Sequence, residues 1–232
     1  RASRTVPFVC KATGEPLAKI AARVMVGQTM KQQGVKVEVT PKYMCVKEAV
    51  FPFTKFLGVD PVLGPEMRST GEVMGVGASF GEALYKAELG AGDRLPEKGT
   101  AFISVRDVDK ARAVSVATHL RDQGFNIVAT RGTAALLQHA AIPCRVVNKV
   151  SEGRPNVVDM IKNGDVQLVI ATADESRTQI SDARQIRQTA LAQLGVVYYT
   201  TISGAAAAVE GQKHAKDVEV RSLQELHAMN RA

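Results

Sequence analysis

The pattern of apolar and polar positions changes at about residue 99. Beyond that point, short apolar runs typical of strands alternate with amphipathic stretches typical of helices, and the connections between them are brief. Strands separated by helices of this length indicate parallel pairing through right-handed crossovers. We therefore predict an α/β fold with an open, mainly parallel five-stranded sheet flanked by helices. The predicted strands are residues 100–105, 125–130, 144–150, 166–172 and 196–201.

The predicted helices of this region lie between those strands and after the last of them. Asp107 is placed to cap the first helix, and Gly124 is placed to end it. The strand VQLVIAT contains a continuous apolar run, which is typical of a strand buried on both faces of a sheet. Together these elements predict a complete small domain. The other predicted helices have the sequences TAALLQHAA, NVVDMIKNG, DARQIRQTALAQLG, SGAAAAVEG and SLQELHAMN.

Residues 1 to about 90 do not alternate in this way. Here the pattern predicts a short strand at VPFV and a helix from Pro16 to Gly34, followed by brief strands and long loops. Ser79, with Glu82 three residues later, forms a capping-box pattern for a further helix. Such loops are too elaborate for so small a core, so we predict an incomplete α+β segment that ends a larger unit. The predicted domains are residues 1–92 and 93–232, with 91–99 as the linker.

Composition and charge narrow the class of protein. The 232 residues are 45% hydrophobic, yet no apolar run is long enough to span a membrane. The formal net charge is +7, but the basic residues are scattered among acidic ones and only 5% of residues are aromatic. This pattern favours a surface that attracts anionic metabolites over one that binds nucleic acid. The three cysteines and four histidines lack metal-ligand spacing, which predicts a reduced, cytoplasmic setting and no metal site.

A candidate anion site lies at TRGT, residues 130–133, where a predicted strand gives way to a helix. Two hydroxyls, a glycine and the free amides of a helix N-terminus suit a phosphate group. Lys110 and Lys149 could add positive charge, and Thr130, Lys149 and Thr172 all fall at the carboxyl ends of strands, where open α/β sheets bind ligands. The alternative is a set of surface lysines with an N-cap threonine.

The stretch GPEMRSTGEVMGVG, residues 64–77, interleaves glycines with charges and apolar side chains. Glycines allow a backbone to approach a ligand or a neighbouring chain closely, and the charges would then line the space that remains. The alternative is a buried, ion-paired loop that supports the fold, because a buried unpaired charge is costly.

This stretch also carries a resemblance to a known family. The segments SRTVPFVCKATGEPLAKIAARVM, VKEAVFPFTKFLGVDPVLGPEMRSTGEVMGVG and FGEALYKAELG resemble the end of the second ATP-grasp unit of the carbamoyl phosphate synthetase large subunit. The following α/β domain resembles the regulatory domain of that subunit, which belongs to the methylglyoxal-synthase-like superfamily. The resemblance covers essentially the whole chain.

The resemblance implies an activity for the parent protein. Members of this family use glutamine-derived ammonia, bicarbonate and two ATP to make carbamoyl phosphate for pyrimidine and arginine synthesis. The parent would therefore need ATP with Mg or Mn, a glutaminase small subunit and the rest of the large subunit. The magnesium-holding glutamate and asparagine of the family lie just upstream of a segment like RASRT, so we expect this chain alone to bind no cofactor and to be inactive.

The resemblance also implies roles for individual residues. The effector phosphate, from uridine or inosine monophosphate, is expected on Lys110, Thr130, Thr133 and Lys149, with Thr172 beside it. Ala171 and Ala173 depart from the bacterial pattern of asparagine and threonine there. Ornithine is expected on Glu48, Tyr198 and Thr200, although Tyr199 stands where relatives can have aspartate. Arg4 and Glu72 are expected near the passage that delivers carbamate; the supporting-loop alternative stays open for them.

A stand-alone methylglyoxal-synthase-like lyase is the second hypothesis. That chemistry needs a carboxylate base beside the bound phosphate, on a glycine-rich loop, whereas this chain has ATADESRTQ in the corresponding region. Asp174 is the one candidate base in that segment. Without the glycines, the pattern favours the regulatory domain over the lyase.

Overall fold

A computed structural model describes residues 4–35, 38–56, 63–173, 177–193 and 195–231 of the chain. The helices are α1 Thr5–Thr13, α2 Leu17–Met25, α3 Phe80–Ala91, α4 Lys110–Asp122, α5 Arg131–His139, α6 Val157–Lys162, α7 Arg177–Ala192, α8 Ile202–Gln212 and α9 Leu223–Arg231. The strands are β1 Met44–Val50, β2 Gly71–Gly77, β3 Thr100–Ser104, β4 Asn126–Thr130, β5 Arg145–Val147, β6 Leu168–Ala171 and β7 Val197–Tyr199.

The later part of the chain folds around a five-stranded sheet in the order β5-β4-β3-β6-β7, and all its pairings are parallel. This confirms the predicted α/β fold, although each strand is shorter than its predicted range. In the register of the sheet, Phe102 lies beside Val128 on one side and Val169 on the other. The chain first builds outwards from β3 through β4 to β5, then returns to the other side of β3 with β6.

Both faces of this sheet are buried, as the continuous apolar runs predict. Alternate residues of each strand point to opposite faces. Ile103, Leu168 and Ile170 pack with α4, α5 and α8 in one apolar layer. Phe102 and Val169 pack with α6 and α7 in the other.

The earlier part of the chain is built on an antiparallel pair, β1 and β2, covered by α3. The glycines of β2 have a packing reason. A Cβ at Gly75 would lie 1.9 Å from the carbonyl oxygen of Ala83, and one at Gly77 would lie 2.8 Å from the amide nitrogen of the same residue. The close approach expected for this glycine-rich stretch is therefore made to α3, and its second half is a strand.

Two predictions for the first 34 residues are wrong. VPFV is not a strand but lies within α1, where Pro7 sits in the first turn and its missing N–H removes no helical hydrogen bond. The helix predicted from Pro16 to Gly34 ends at Met25, because Gly27 adopts a φ of 96° that leaves the helical region.

The capping predictions had mixed outcomes. The Ser79 hydroxyl accepts a hydrogen bond from the Glu82 amide at 3.2 Å, which confirms the cap of α3. Gly124 has a φ of 91° just after α4, as expected for a residue that ends a helix. Asp107, however, does not cap α4: it lies in a short 3-10 turn and its carboxylate pairs with Lys110 instead.

The two parts of the chain meet where α3 packs against α8. Small residues allow this contact, since a Cβ at Gly211 would lie 3.1 Å from the carbonyl oxygen of Gly81. The last helix, α9, leaves the α/β domain and packs against α1 in the earlier part. The predicted boundary at residues 92 and 93 stays a prediction.

Candidate functional site

A cleft of ≈ 290 Å³ opens at the carboxyl ends of β3, β4 and β6. Because β4 and β6 lie on opposite sides of β3, this is the point where the strand order of the sheet reverses, and ligands of open α/β sheets bind at such points. All five residues predicted to bind a nucleotide line this cleft: Lys110, Thr130, Thr133, Lys149 and Thr172. These residues come from five places in the chain, namely α4, β4, α5 and the segments after β5 and β6.

Hydroxyl groups cross-link the strand ends at the base of the cleft. Ser104 Oγ and Thr130 Oγ1 lie 3.0 Å apart, and the Arg106 amide donates to Thr172 Oγ1 at 3.0 Å. Thr133 is only 1% exposed, and its Oγ1 accepts from the Val105 amide at 3.3 Å. Since Thr133 and Thr172 act as acceptors in these bonds, each O–H proton remains available to an anion.

The N-terminus of α5 faces the same space. Thr130 occupies the N-cap position of this nine-residue helix, but its side chain makes no capping hydrogen bond. The first amides of a helix have no intrahelical partner, and the helix dipole makes this end favourable for negative charge. A Cβ at Gly132 would lie 4.0 Å from the Lys110 ammonium, so the cation lies close to these amides.

The two lysines of the cleft differ in their partners. Lys110 Nζ lies 2.7 Å from an Asp107 carboxylate oxygen, and this pairing lowers the pKa of Asp107 from its ordinary value. Lys149 is exposed, and none of the ion pairs among the described residues involves it. A bound phosphate would therefore compete with Asp107 for one lysine and meet the other without such competition.

Ser104 and Asp182 are among the polar residues of the cleft that sequence reasoning missed. Ser104 ends β3 just as Thr130 ends β4, so its position in the strand pattern could have indicated it. Asp182 comes from α7, accepts hydrogen bonds from Ser151 Oγ at 2.7 Å and from the Ser151 amide at 3.3 Å, and carried no comparable signal. Ile186 adds an apolar wall from the same helix.

A second polar cluster lies between the two parts of the chain. Glu88 of α3 is 8% exposed, and the Tyr199 hydroxyl donates to its carboxylate at 3.1 Å. Burial raises the pKa of Glu88 to about 7, with the charges of Glu48 and Asp93 adding to the effect. Burial, followed by the charge of Asp93, also raises the pKa of Glu48. Negative charge is thus costly at this cluster.

The predicted ornithine residues are only partly brought together. Glu48 belongs to this cluster, but Tyr198 does not: its hydroxyl donates to the Ala171 carbonyl at 3.3 Å, and it packs in the apolar layer with α6 and α7. Tyr199 points to the opposite face and contacts Glu88. Thr200 follows as an exposed residue. The tyrosine side chain at Glu88 is therefore that of Tyr199 rather than Tyr198.

Arg4 and Glu72 have different partners. The Arg4 guanidinium donates to Ser69 Oγ at 2.7 Å, to the Ser69 carbonyl at 3.1 Å and to the Gly71 carbonyl at 3.3 Å. Glu72 lies 3.7 Å from Lys47 Nζ. Arg4 thus contacts the residues at the start of β2, and Glu72 pairs with β1. The ion-paired loop and the carbamate passage both stay predictions.

Asp174, the candidate base of the lyase hypothesis, lies outside the described residues. Within the described part of the chain, no group of three or more His, Cys, Asp or Glu side chains is arranged to hold a metal ion. No helix among the described residues is long and apolar enough to cross a bilayer. The three cysteines are free thiols.

The chain was compared with known protein families and with known proteins. Residues 112–200, which contribute most of the cleft, match the family model for the MGS-like domain. The chain is 64% identical over 228 residues to the carbamoyl phosphate synthase large chain of Ralstonia nicotianae, covering 98% of this chain and 21% of that one. The chain is homologous to the C-terminal part of the carbamoyl phosphate synthase large chain.

Other carbamoyl phosphate synthase large chains are also similar to this chain. The chain is 57% identical to those of Xanthomonas campestris and Pseudomonas aeruginosa, with 98% of this chain and 21% of each relative covered. It thus spans about a fifth of the length of the relatives that it matches. A solved structure described as that of ForH aligns with a TM-score of 0.38 and 14% identity over 58% of this chain and 90% of that one, which is too remote to bear on function.

Proposed function

We propose that the cleft of the MGS-like domain binds a nucleoside monophosphate that regulates a carbamoyl phosphate synthase. The observation that carries the proposal is the convergence of Lys110, Thr130, Thr133, Lys149 and Thr172 on one cleft of ≈ 290 Å³. Ammonium groups, hydroxyls and helix amides are the donors that a phosphate group requires. Uridine and inosine monophosphates are the candidates that the family resemblance supplies.

The parts of the nucleotide would divide between the two walls of the cleft. The phosphate would meet the amides of α5 and the hydroxyls of Thr130 and Thr133, with Lys110 and Lys149 balancing its charge. The apolar wall at Ile186 suits the flat base, because apolar surfaces bind aromatic rings by burying their area. Ala171 and Ala173, at the end of β6 and just beyond it, cannot offer side-chain hydrogen bonds. These two positions therefore cannot hold the base or the ribose through side-chain hydrogen bonds.

The parent protein would be the glutamine-hydrolysing enzyme, a cytoplasmic ligase that acts in pyrimidine and arginine biosynthesis. It would use ATP with Mg or Mn, together with a glutaminase small subunit and the remainder of the large chain. The chain described here would contribute regulation and structural support but no catalytic group. Nucleotide binding in the cleft would change how the α/β domain meets the earlier part, with a coupling free energy of about 1–3 kcal/mol.

Ornithine would act at the second polar cluster. Glu48 supplies a carboxylate for its side-chain ammonium, and Thr200 lies one residue beyond Tyr199, whose hydroxyl reaches Glu88. A cation bound here would offset the burial, and the smaller repulsion between carboxylates, that now raise the pKa of Glu48 and Glu88. Because these residues come from both parts of the chain, the cation would stabilise their contact.

The lyase alternative gains no support from the cleft. Among the described residues its two lining aspartates already have partners, Asp107 with Lys110 and Asp182 with Ser151. The lowered pKa of Asp107 makes its carboxylate a weak base, whereas proton abstraction calls for a raised one. Release of methylglyoxal from dihydroxyacetone phosphate by the purified chain would overturn this assignment.

Calorimetric titration of the purified chain with uridine and inosine monophosphates tests the proposal. We expect at least one of them to bind, and uridine or inosine without phosphate to bind at least tenfold more weakly. Lys149→Ala should weaken nucleotide binding about tenfold, since a hydrogen bond to a charged group contributes about 1.5–3 kcal/mol. Lys98→Ala is the matched control, because Lys98 is exposed and lies before the opposite end of β3. Equal affinity of the two variants would contradict the assignment of the site.

A further inference from the structure

Side chains of the last helix, α9, supply hydrogen-bond donors to the C-terminal end of the first helix, α1. In a helix the last four carbonyl groups have no intrahelical partner. At the end of α1, the Lys11 carbonyl accepts from His227 Nε2 at 2.8 Å, and the Ala12 carbonyl accepts from Asn230 Nδ2 at 3.3 Å. These partners are 216 and 218 residues away in sequence. The C-terminal carbonyls of α1 are therefore capped by α9.

Asn230 is the centre of this contact. Its Nδ2 donates to the Tyr43 hydroxyl at 2.8 Å as well as to Ala12, and its Oδ1 accepts from the Lys42 amide at 3.2 Å. The Tyr43 hydroxyl donates in turn to the Ala12 carbonyl at 2.7 Å, and Tyr43 is only 9% exposed. One amide side chain thus joins three segments, using both its acceptor and its two donors.

His227 also makes close packing contacts at the end of α1. Gly14 follows α1 with a φ of 82°, and a Cβ there would lie 3.2 Å from the Cγ atom of the His227 ring. The ring packs directly on the turn that ends α1. Since the Lys11 carbonyl can only accept, His227 Nε2 must carry the proton in this contact.

The other end of α1 holds the loop that precedes β2. Arg4, at the N-cap position of α1, makes three hydrogen bonds to Ser69 and Gly71. A nine-residue helix is a rigid rod about 13 Å long, so fixing one end restricts the other. We propose that Asn230 is a positioning residue: by docking α9 on the C-terminal end of α1, it sets the position of Arg4 and orders the loop at residues 68–71.

Hydrogen exchange of the purified chain, followed by mass spectrometry, tests this inference without any ligand. In Asn230→Ala we expect about tenfold faster exchange in peptides covering 5–13 and a rise in those covering 68–72. Peptides covering β3 should be unchanged, because that strand lies in the core of the α/β domain. Gln224→Ala, an exposed position on α9, is the matched control and should resemble the unaltered chain.

Each other outcome has a meaning. Unchanged exchange in α1 overturns the docking role, and faster exchange in α1 with an unchanged 68–72 region overturns the link to Arg4. If Asn230→Ala accelerates exchange everywhere, Tyr43→Phe decides, since it removes one hydroxyl with little change of shape. That variant should accelerate α1 and the 68–72 region alone, and exchange equal to that of the unaltered chain in α1 would reject the inference. None of these results depends on nucleotide binding.

Discussion

The pH dependence of stability should be governed in part by one carboxyl group, Glu88. This side chain is 8% exposed and accepts a hydrogen bond from Tyr199 across the contact between the two parts of the chain. The informative change is Glu88→Gln, because the amide oxygen can still accept from Tyr199 while the group can no longer ionise. Because Gln has nearly the same shape as Glu, packing is preserved. The variant therefore reports only the effect of ionisation at this position.

The size of the expected change in stability follows from the environment of the Glu88 carboxyl group. Burial first, then the charges of Glu48 and Asp93, raise the pKa of Glu88 from 4.5 to about 7, and the Tyr199 hydrogen bond opposes them. That difference corresponds to about 3 kcal/mol at 1.36 kcal/mol for each pH unit. Solvent screens part of the contribution from the neighbouring charges, so we expect about 2 kcal/mol. The folded-state pKa is the higher one, so this stability is fully present below about pH 4.5 and is lost as the pH rises through 7.

Urea unfolding at pH 5 and pH 8 measures this loss. The quantity to compare is the free energy of unfolding of Glu88→Gln minus that of the unaltered chain. This difference should be about 2 kcal/mol larger at pH 8 than at pH 5. With a slope of about 3 kcal/mol per molar urea, the difference between the two midpoints should change by about 0.7 M. Glu97→Gln, at an exposed position, is the control and should show no such change. If the midpoints of Glu88→Gln and the unaltered chain differ equally at both pH values, the reasoning fails.

Two further predictions concern packing and the cleft. Gly75→Ala should destabilise the chain by about 3 kcal/mol in urea unfolding, because its Cβ would lie 1.9 Å from the Ala83 carbonyl oxygen; Gly64→Ala, where a Cβ meets nothing within 4 Å, should have little effect. A similar loss in both would contradict the packing argument. Thr133→Val should cost about 1–2 kcal/mol, because the Val105 amide loses its acceptor, and should weaken nucleotide binding about tenfold in calorimetry. Undiminished affinity would remove Thr133 from the proposed phosphate site.

The sheet of the α/β domain could be predicted because burial on both faces leaves a plain signal. The run LVIA within VQLVIAT has no polar position, which is typical of a central strand of a parallel sheet. The convergence of Thr130, Lys149 and Thr172 followed from the same logic, since parallel strands end at one edge. Ser104 satisfied that logic equally well and was overlooked.

Other features depend on information that the sequence does not carry locally. Tyr198 and Tyr199 are chemically alike, and only the register of β7 decides which one faces Glu88. Asp182 reaches the cleft because α7 packs across the sheet, and its own segment shows nothing unusual. α1 was mistaken for a strand because VPFV is apolar and contains proline, yet proline is well tolerated in the first turn of a helix. The role of α9 at α1 depends on residues more than 200 positions apart.

The glycines of β2 have a mechanical consequence. With no side chains between them and the backbone of α3, the strand and the helix cannot slide past one another without steric overlap. The β1–β2 pair and α3 must therefore move as one body, and α3 also carries the surface that meets α8. A displacement of α8 would therefore be transmitted through α3 to β2. The β1–β2 pair would then tilt as a rigid unit and would not deform internally.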